Sequence, residues 1–266
     1  MSESQNSNGA NGAAVTGNVL LYKNPQPLSL EAHGKLGLKN IPMPFGFVAK
    51  THVVPVTIQE FGIAASTMPI IFAPDRKTPL AVMAARGNEN LFVDSTGNWE
   101  LDAYVPAFVR RYPFIFAADE GNENFVVCLD EGAEMIGENP DLPLFVNDQP
   151  TDYTNGAMDF LQDFERQRRS TEEWAELVNS MDLLEDKSVT FTPNDENGKP
   201  MDPIKVADYV AISEEKLMAL PDDKFLELKN KGALAAIYSH LVSLLHWQKM
   251  VQRTLRAGEQ TQAANA

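Results

Sequence analysis

Apolar residues follow two patterns along this chain. Between Thr51 and Asp130 they come in short runs parted by polar loops, and from Asp152 onward they recur mainly every three or four positions. The first pattern predicts strands and the second amphipathic helices. Two passages of the first kind resemble each other. Met68-Pro-Ile-Ile-Phe-Ala73 is followed by Gly87-Asn-Glu-Asn-Leu-Phe-Val-Asp94, and Tyr112-Pro-Phe-Ile-Phe-Ala117 by Gly121-Asn-Glu-Asn-Phe-Val-Val127. Proline disfavours the helical region for the residue before it, so Met68 and Tyr112 are expected to end helices and open strands. The apolar runs are β-branched or aromatic, as strands prefer. Gly-Asn-Glu-Asn supplies residues that tolerate positive φ where the next strand begins.

A short helix is expected before each passage. Thr57-Ile-Gln-Glu60 matches a capping box leading into Phe61, Ile63 and Ala64, and Asp102 is placed to cap a second helix through Tyr104, Val105, Phe108 and Val109. The result is two helix–strand–strand units, 57–94 and 102–130, with their strands in one antiparallel sheet. Residues 18–50 carry Pro25, Pro27, Pro42 and Pro44. They read as an irregular arm lying over the core, with one strand near Val19–Tyr22. A small further strand is expected at Pro143–Val146.

The second half reads as mostly helical. Ala157–Arg169 sets Met158, Leu161 and Phe164 on one face, with Arg166, Arg168 and Arg169 in the last turn, where they suit the helix dipole. Ser170-Thr-Glu-Glu173 then opens a second helix carrying Trp174, Leu177, Val178 and Met181. A hairpin follows, Ser188–Thr192 and Ile204–Ile212 around Asn197-Gly198. Ser213 caps a short helix, Pro221–Asn230 forms another, and Gly232 ends it. One long helix from Ala233 to Arg256 closes the chain, with an apolar line through Leu234, Ile237, Tyr238, Leu241, Leu244, Leu245, Val251 and Leu255. The expected fold class is α+β: an antiparallel sheet with two pseudo-repeated helix–strand–strand units, then a mostly helical C-terminal half. The expected organisation is a disordered tail over 1–17, a β-rich α+β region over 18–150, a mostly helical region over 151–257 packed on it, and a frayed tail over 258–266.

Charge narrows the partners. The 266 residues hold 22 Lys and Arg against 37 Asp and Glu, a net charge of −15, which disfavours nucleic acid because phosphate neutralisation needs a basic surface. The single cysteine, Cys128, leaves no disulfide framework and no multi-cysteine zinc site. No window is long and apolar enough for a transmembrane helix. The Ser-, Asn- and Gly-rich start does not look like a signal peptide, so the cytoplasm is the expected compartment, with signal-less export left open.

Catalytic signatures are missing. The chain has no G-x-G-x-x-G, no G-x-x-x-x-G-K-S/T, no G-x-S-x-G and no H-E-x-x-H. His240 and His246 are six apart, about 240° around a helix, and read as polar positions on a partly buried helix. Cys128 sits in an apolar run and reads as buried and inert. From Tyr112 to Glu165 there are 13 Asp or Glu and no Lys or Arg, a solvated acidic face suited to a basic partner. Asp195-Glu-Asn-Gly198 starts like a calcium loop but has its glycine at the wrong position, so no metal site is expected. The functional candidate is an aromatic and basic cluster, Trp99, Tyr104, Arg110, Arg111 and Tyr112. Arginine beside aromatics joins stacking to a planar donor fork and recognises carboxylates or peptide groups. The competing reading makes the aromatics core residues and pairs an arginine internally.

Asn90-Leu-Phe-Val-Asp94, Gly97-Asn-Trp99 and Tyr104-Val-Pro-Ala-Phe-Val-Arg-Arg-Tyr-Pro-Phe114 resemble the SapC family of bacterial proteins, with weaker matches at Pro143-Leu-Phe145, Asp182-Leu-Leu184, Lys216-Leu217 and Gly232-Ala-Leu234. The likeness covers about 50–255. The family takes its name from a surface-layer-associated protein, and its members are often encoded beside flavin-dependent halogenase-like proteins and outer-membrane receptors. The resemblance therefore implies an accessory role and brings no catalytic residues and no cofactor. The expected function is a non-catalytic binding or accessory protein that engages a protein or peptide partner. An enzyme or enzyme subunit with an unrecognised site and a surface-layer component are the alternatives. Homodimerisation and an intramolecular core explain the stripe of the last helix equally well.

Overall fold

The computed structural model describes residues 19–75, 77–118, 125–192 and 199–264. The N-terminal tail, the second Gly-Asn-Glu-Asn and the segment holding Asp195-Glu-Asn-Gly198 lie outside them. In chain order come β1 (Pro25–Pro27), α1 (Leu30–His33), β2 (Leu36–Leu38), β3 (Val53–Pro55), α2 (Phe61–Ala64), β4 (Ile70–Phe72) and β5 (Pro79–Val82). Then follow α3 (Ala107–Arg110), β6 (Phe114–Ala118), β7 (Phe125–Asp130), β8 (Ile136–Glu138), β9 (Leu142–Pro143), β10 (Phe145–Val146) and β11 (Gln149–Pro150). The rest are α4 (Asp152–Ser180), β12 (Leu184–Phe191), β13 (Ile204–Ile212), α5 (Glu214–Met218), α6 (Asp222–Asn230), α7 (Leu234–Ser243) and α8 (His246–Ala264). Antiparallel sheets followed by a helix-rich C-terminal half make the chain α+β. It divides into two compact units, Met1–Ile41 with Arg111–Leu161 and Pro42–Arg110 with Gln162–Ala266.

The first unit is built on two three-stranded sheets, β1-β7-β6 and β8-β2-β9. Phe114, Leu129, Leu144 and Leu161 form its buried centre, and Leu28, Leu36 and Leu38 pack against them. The proline-rich arm is thus part of the core, which corrects the expectation that it lies outside. It supplies β1, which pairs Gln26 with Leu129, and β2, the middle strand of its sheet. Val19–Tyr22 is a turn and not a strand, with Leu21 at φ 79. That turn buries the Tyr22 ring, whose hydroxyl donates to Phe114 O at 2.7 Å.

The second unit carries a five-stranded antiparallel sheet in the order β12-β13-β4-β5-β3. The order helix–strand–strand does recur, as α2–β4–β5 and α3–β6–β7. The two hairpins nevertheless lie in two sheets, one in each unit, where one sheet was expected. In the first copy the partner of β4 is β5, which falls inside the stretch read as a loop. Leu91–Val93 forms only a single bridge, Val93 with Trp99. The buried Asn90 takes it out of the sheet, donating to Val48 O at 3.2 Å and accepting from Phe92 N at 2.9 Å.

Three helix limits also differ. α3 begins at Ala107, after Pro106, and Asp102 does not cap it. α4 runs unbroken through Ser170, because Arg168 and Arg169 bind Glu165 one turn back and Arg168 also binds Glu172 one turn ahead. Charges that suit a helix end here brace a helix interior. The last helix is two helices, α7 and α8, interrupted at Leu244 and Leu245. The buried line of α7 is Ala236, Ile237, His240 and Ser243, while Tyr238, Val242 and Leu245 are exposed. Elsewhere local signals match the structure: Ser213 Oγ accepts from Lys216 N, α6 starts one residue after Pro221 and ends at Asn230, and Gly232 takes φ +69.

Candidate functional site

Two buried carboxylates organise the residues singled out by sequence. In the second unit the capping-box residue Glu60 is 4% exposed. Its Oε2 accepts from Thr57 N at 2.9 Å and Thr57 Oγ1 at 2.8 Å, the local half of the motif. Its Oε1 accepts from the Tyr104 hydroxyl at 2.9 Å and from Ala107 N at 2.6 Å, where α3 starts. Arg110 Nη2 donates to the same hydroxyl at 3.0 Å, Arg110 Nε donates to Val105 O at 3.1 Å, and the guanidinium lies 5.7 Å from the Tyr104 ring centre. Burial first, then the Glu60 carboxylate, pushes the Tyr104 phenol up to about 12.

In the first unit the corresponding carboxylate is Asp130, which is fully buried. Oδ1 accepts from Asn24 N at 2.7 Å and Gly132 N at 3.1 Å, and Oδ2 from Lys23 N at 3.0 Å and the Tyr112 hydroxyl at 3.1 Å. Tyr112 packs on Tyr22 with ring centres 5.4 Å apart, and the Arg111 guanidinium lies 5.8 Å from the Tyr22 ring centre. Burial pushes the Tyr22 phenol up to about 12. Burial and then Asp130 push Tyr112 up as well.

Trp99 belongs to neither group. It stacks on Phe92 at 5.8 Å and tilts against Phe45 at 5.6 Å. Arg253 closes that stack, 4.8 Å over the Phe92 ring, while donating to Leu91 O and Glu100. The five residues therefore fall into three clusters: Tyr104 with Arg110, Arg111 and Tyr112 around Tyr22, and Trp99 within an aromatic stack. Tyr112 ties to a strand through Asp130, Tyr104 ties to the start of α2 through Glu60, and Arg110 is the member that is exposed.

The histidines and the thiol have definite settings. His240 is fully buried in α7 and His246 opens α8, so they do not share the one helix the sequence suggested. Cys128 is buried, and burial pushes its thiol up. Among the described residues no group of three or more His, Cys, Asp or Glu is arranged to hold a metal ion, and no helix is long and apolar enough to cross a membrane.

A concave site appears where sequence reasoning did not look. β13 pairs with β12 along its length, but on its other side it meets β4 at a single pair, Val210 with Phe72. A cleft of about 630 Å³ opens at this divergence. Ile71, Pro74 and Leu80 supply apolar lining, and the β12–β13 hairpin lines it with both acidic and basic groups, Asp186, Asp208 and Lys187 beside Ser188. Ser188 lies opposite Asp208 and Asp186 opposite Val210, so Asp186, Ser188 and Asp208 share one face. Asp208 accepts from Ser188 Oγ at 2.5 Å and pairs with Lys205 at 2.6 Å; the lysine first and then the serine hold its carboxyl below the usual range. The period-two recurrence of Asp186 and Ser188 against Asp208 was the readable signal, once the hairpin register was drawn.

Sheet and cleft define a mixed α+β protein with a concave surface at a split in its largest sheet. The chain belongs to the SapC family, whose model matches residues 28–250. No curated protein and no solved structure gives a significant match. Several residues that carry the family likeness shape one loop. Asp94 Oδ1 accepts from Thr96 N at 2.8 Å and Asn98 N at 3.0 Å, Gly97 takes φ +74, and Trp99 anchors the end.

Proposed function

We propose that this protein is a non-catalytic binding or accessory protein that engages a protein or peptide partner, with the cleft between β13 and β4 as the contact. One observation carries this reading: an apolar-lined opening bordered by Asp186 and Asp208 beside β13, whose second side pairs with β4 at one residue. Concave sites with apolar walls and a few placed polar groups are where ligands seat. A flavin-dependent halogenase-like protein and an outer-membrane uptake protein are the first partners to test. Arg110 and the aromatic stack act as framework in this reading.

The test is site-specific photocrosslinking in the native cell. A photoreactive residue at Leu80, lining the cleft, should give a discrete adduct, and one at the exposed Met218 should not. Adducts at Met218 alone, or none at Leu80, would sink the reading.

A further inference from the structure

The geometry points to strand addition: an extended partner segment carrying apolar and basic side chains pairs with the free side of β13. This inference rests on the cleft reading and names what fills it. β13 spans Ile204–Ile212, and a strand in a sheet interior bonds on both sides. Here β12 takes one side, and the other holds the single Val210–Phe72 pair. Among the described residues nothing pairs with Ile204–Tyr209 on that second side. Alternate N–H and C=O groups along this stretch therefore point away from β12, the template an added strand uses.

Two features keep β4 from closing the gap. Continuing the register from Val210–Phe72 would set Asp208 opposite Pro74. Proline has no N–H to give, and the chain turns there, with Ala73 N bonded to Thr78 O at 2.8 Å. The space left beside Asp208 and Tyr209 is the cleft, so the unpaired edge opens into a ready-made cavity at that end.

The lining sets the occupant's chemistry. Ile71 and Leu80 are register partners and share one face, a seat for apolar side chains. Asp186 and Asp208 share a face of the hairpin; Lys187, which also lines the cleft, pairs with Glu185, and Lys205 pairs with Asp208, so the preference for a basic occupant rests on the charge of the whole chain. A net charge of −15 favours a basic partner over an acidic one.

The test uses the full chain and short synthetic peptides alternating valine or isoleucine with lysine or arginine. Binding is followed through the backbone amide resonances and hydrogen exchange of Ile204–Tyr209. These amides should shift and slow on binding, and N-methylation at alternate peptide residues should weaken affinity about tenfold or more, having removed the ladder bonds. Replacing the basic residues by glutamate should weaken it comparably, and Asp186→Asn should erase part of that preference in a protein whose thermal melt is unchanged. Equal binding of N-methylated peptides would overturn strand addition while leaving the cleft as the contact. Self-association of the peptide-free protein with Ile204–Tyr209 protected would overturn it in favour of a second copy. Failure of every basic peptide to bind would also overturn it, and the Leu80 crosslinks would then judge the cleft by themselves.

Discussion

Ile70 and Ile212 stand where the next ladder pair between β4 and β13 would fall, yet their amides bond to a helix. The register set by Val210 and Phe72 brings the two residues opposite each other. Ile70 N donates to Ser243 Oγ at 2.9 Å, and Ile212 N donates to His240 Nε2 at 3.0 Å. Two polar side chains one turn apart on α7 thus replace sheet bonds, satisfying buried donors where the strands part.

His240 accepts this bond as a neutral imidazole. Burial first, then the nearby Lys187 charge, lowers its pKa to about 3, against an ordinary value near 6.5. Between these values the unfolded chain binds a proton that the native state does not, so stability falls as pH drops below about 6.5 and is unaffected above it. The contribution has a slope of about 1.4 kcal/mol per pH unit. Urea unfolding at pH 7 and pH 5 should show the loss in the parent protein, and His240→Gln should show a smaller one.

Ser243→Ala leaves the buried Ile70 amide without its acceptor. A loss of about 1–3 kcal/mol is expected, measured by chemical denaturation. Ser243→Thr, which keeps the hydroxyl, should recover part of it.

Asp130 holds four donors in a fully buried setting. Asp130→Ala strands all of them and should cost about 3–5 kcal/mol, enough to lower the melting temperature sharply. A variant that melts with the parent would show that water replaces the carboxylate there.

Arg110→Ala removes two bonds from an exposed side chain, and a cost near 1 kcal/mol is expected. Tyr104→Phe takes a donor from the buried Glu60 and should cost more, about 1–3 kcal/mol. The ranking, read from two urea midpoints, separates a framework role from a contact role. Arg110 and Arg111 must be changed one at a time, since they pack on tyrosines of different units.

Gly97→Ala tests the family loop. A Cβ there would sit 2.5 Å from Met43 Cβ at a backbone φ of +74. A loss above about 1 kcal/mol is expected, and adding Met43→Ala should recover little of it, because the Cβ and Cα of residue 43, at 2.5 and 2.6 Å, stay in place beside the strained backbone.

Local chemistry was legible in the sequence. Thr57 to Glu60, the Ser213 cap, Gly232 and the limits of β13 follow from spacings of a few residues. What escaped depends on distant partners. The capping box predicts that Glu60 reaches Thr57 and carries no sign that its other oxygen collects Tyr104 and Ala107, more than forty residues on. The break between α7 and α8 is invisible in a stripe that continues through it. β2 looked like arm because its partners, β8 and β9, lie about a hundred residues away. Trp99, Tyr104 and Arg110 stand close in sequence, yet Trp99 stacks on Phe92 while Tyr104 and Arg110 gather at Glu60, a partner far along the chain. The cleft was hidden because it arises from a pairing that stops after one residue.

The bare flank of β13 also bears on self-association. Unpaired strand flanks invite stacking of like molecules, and like charge is a common defence against it. Titrating the protein toward its isoelectric point near 4.7 removes that repulsion. Light scattering should then rise before any loss of helical circular dichroism.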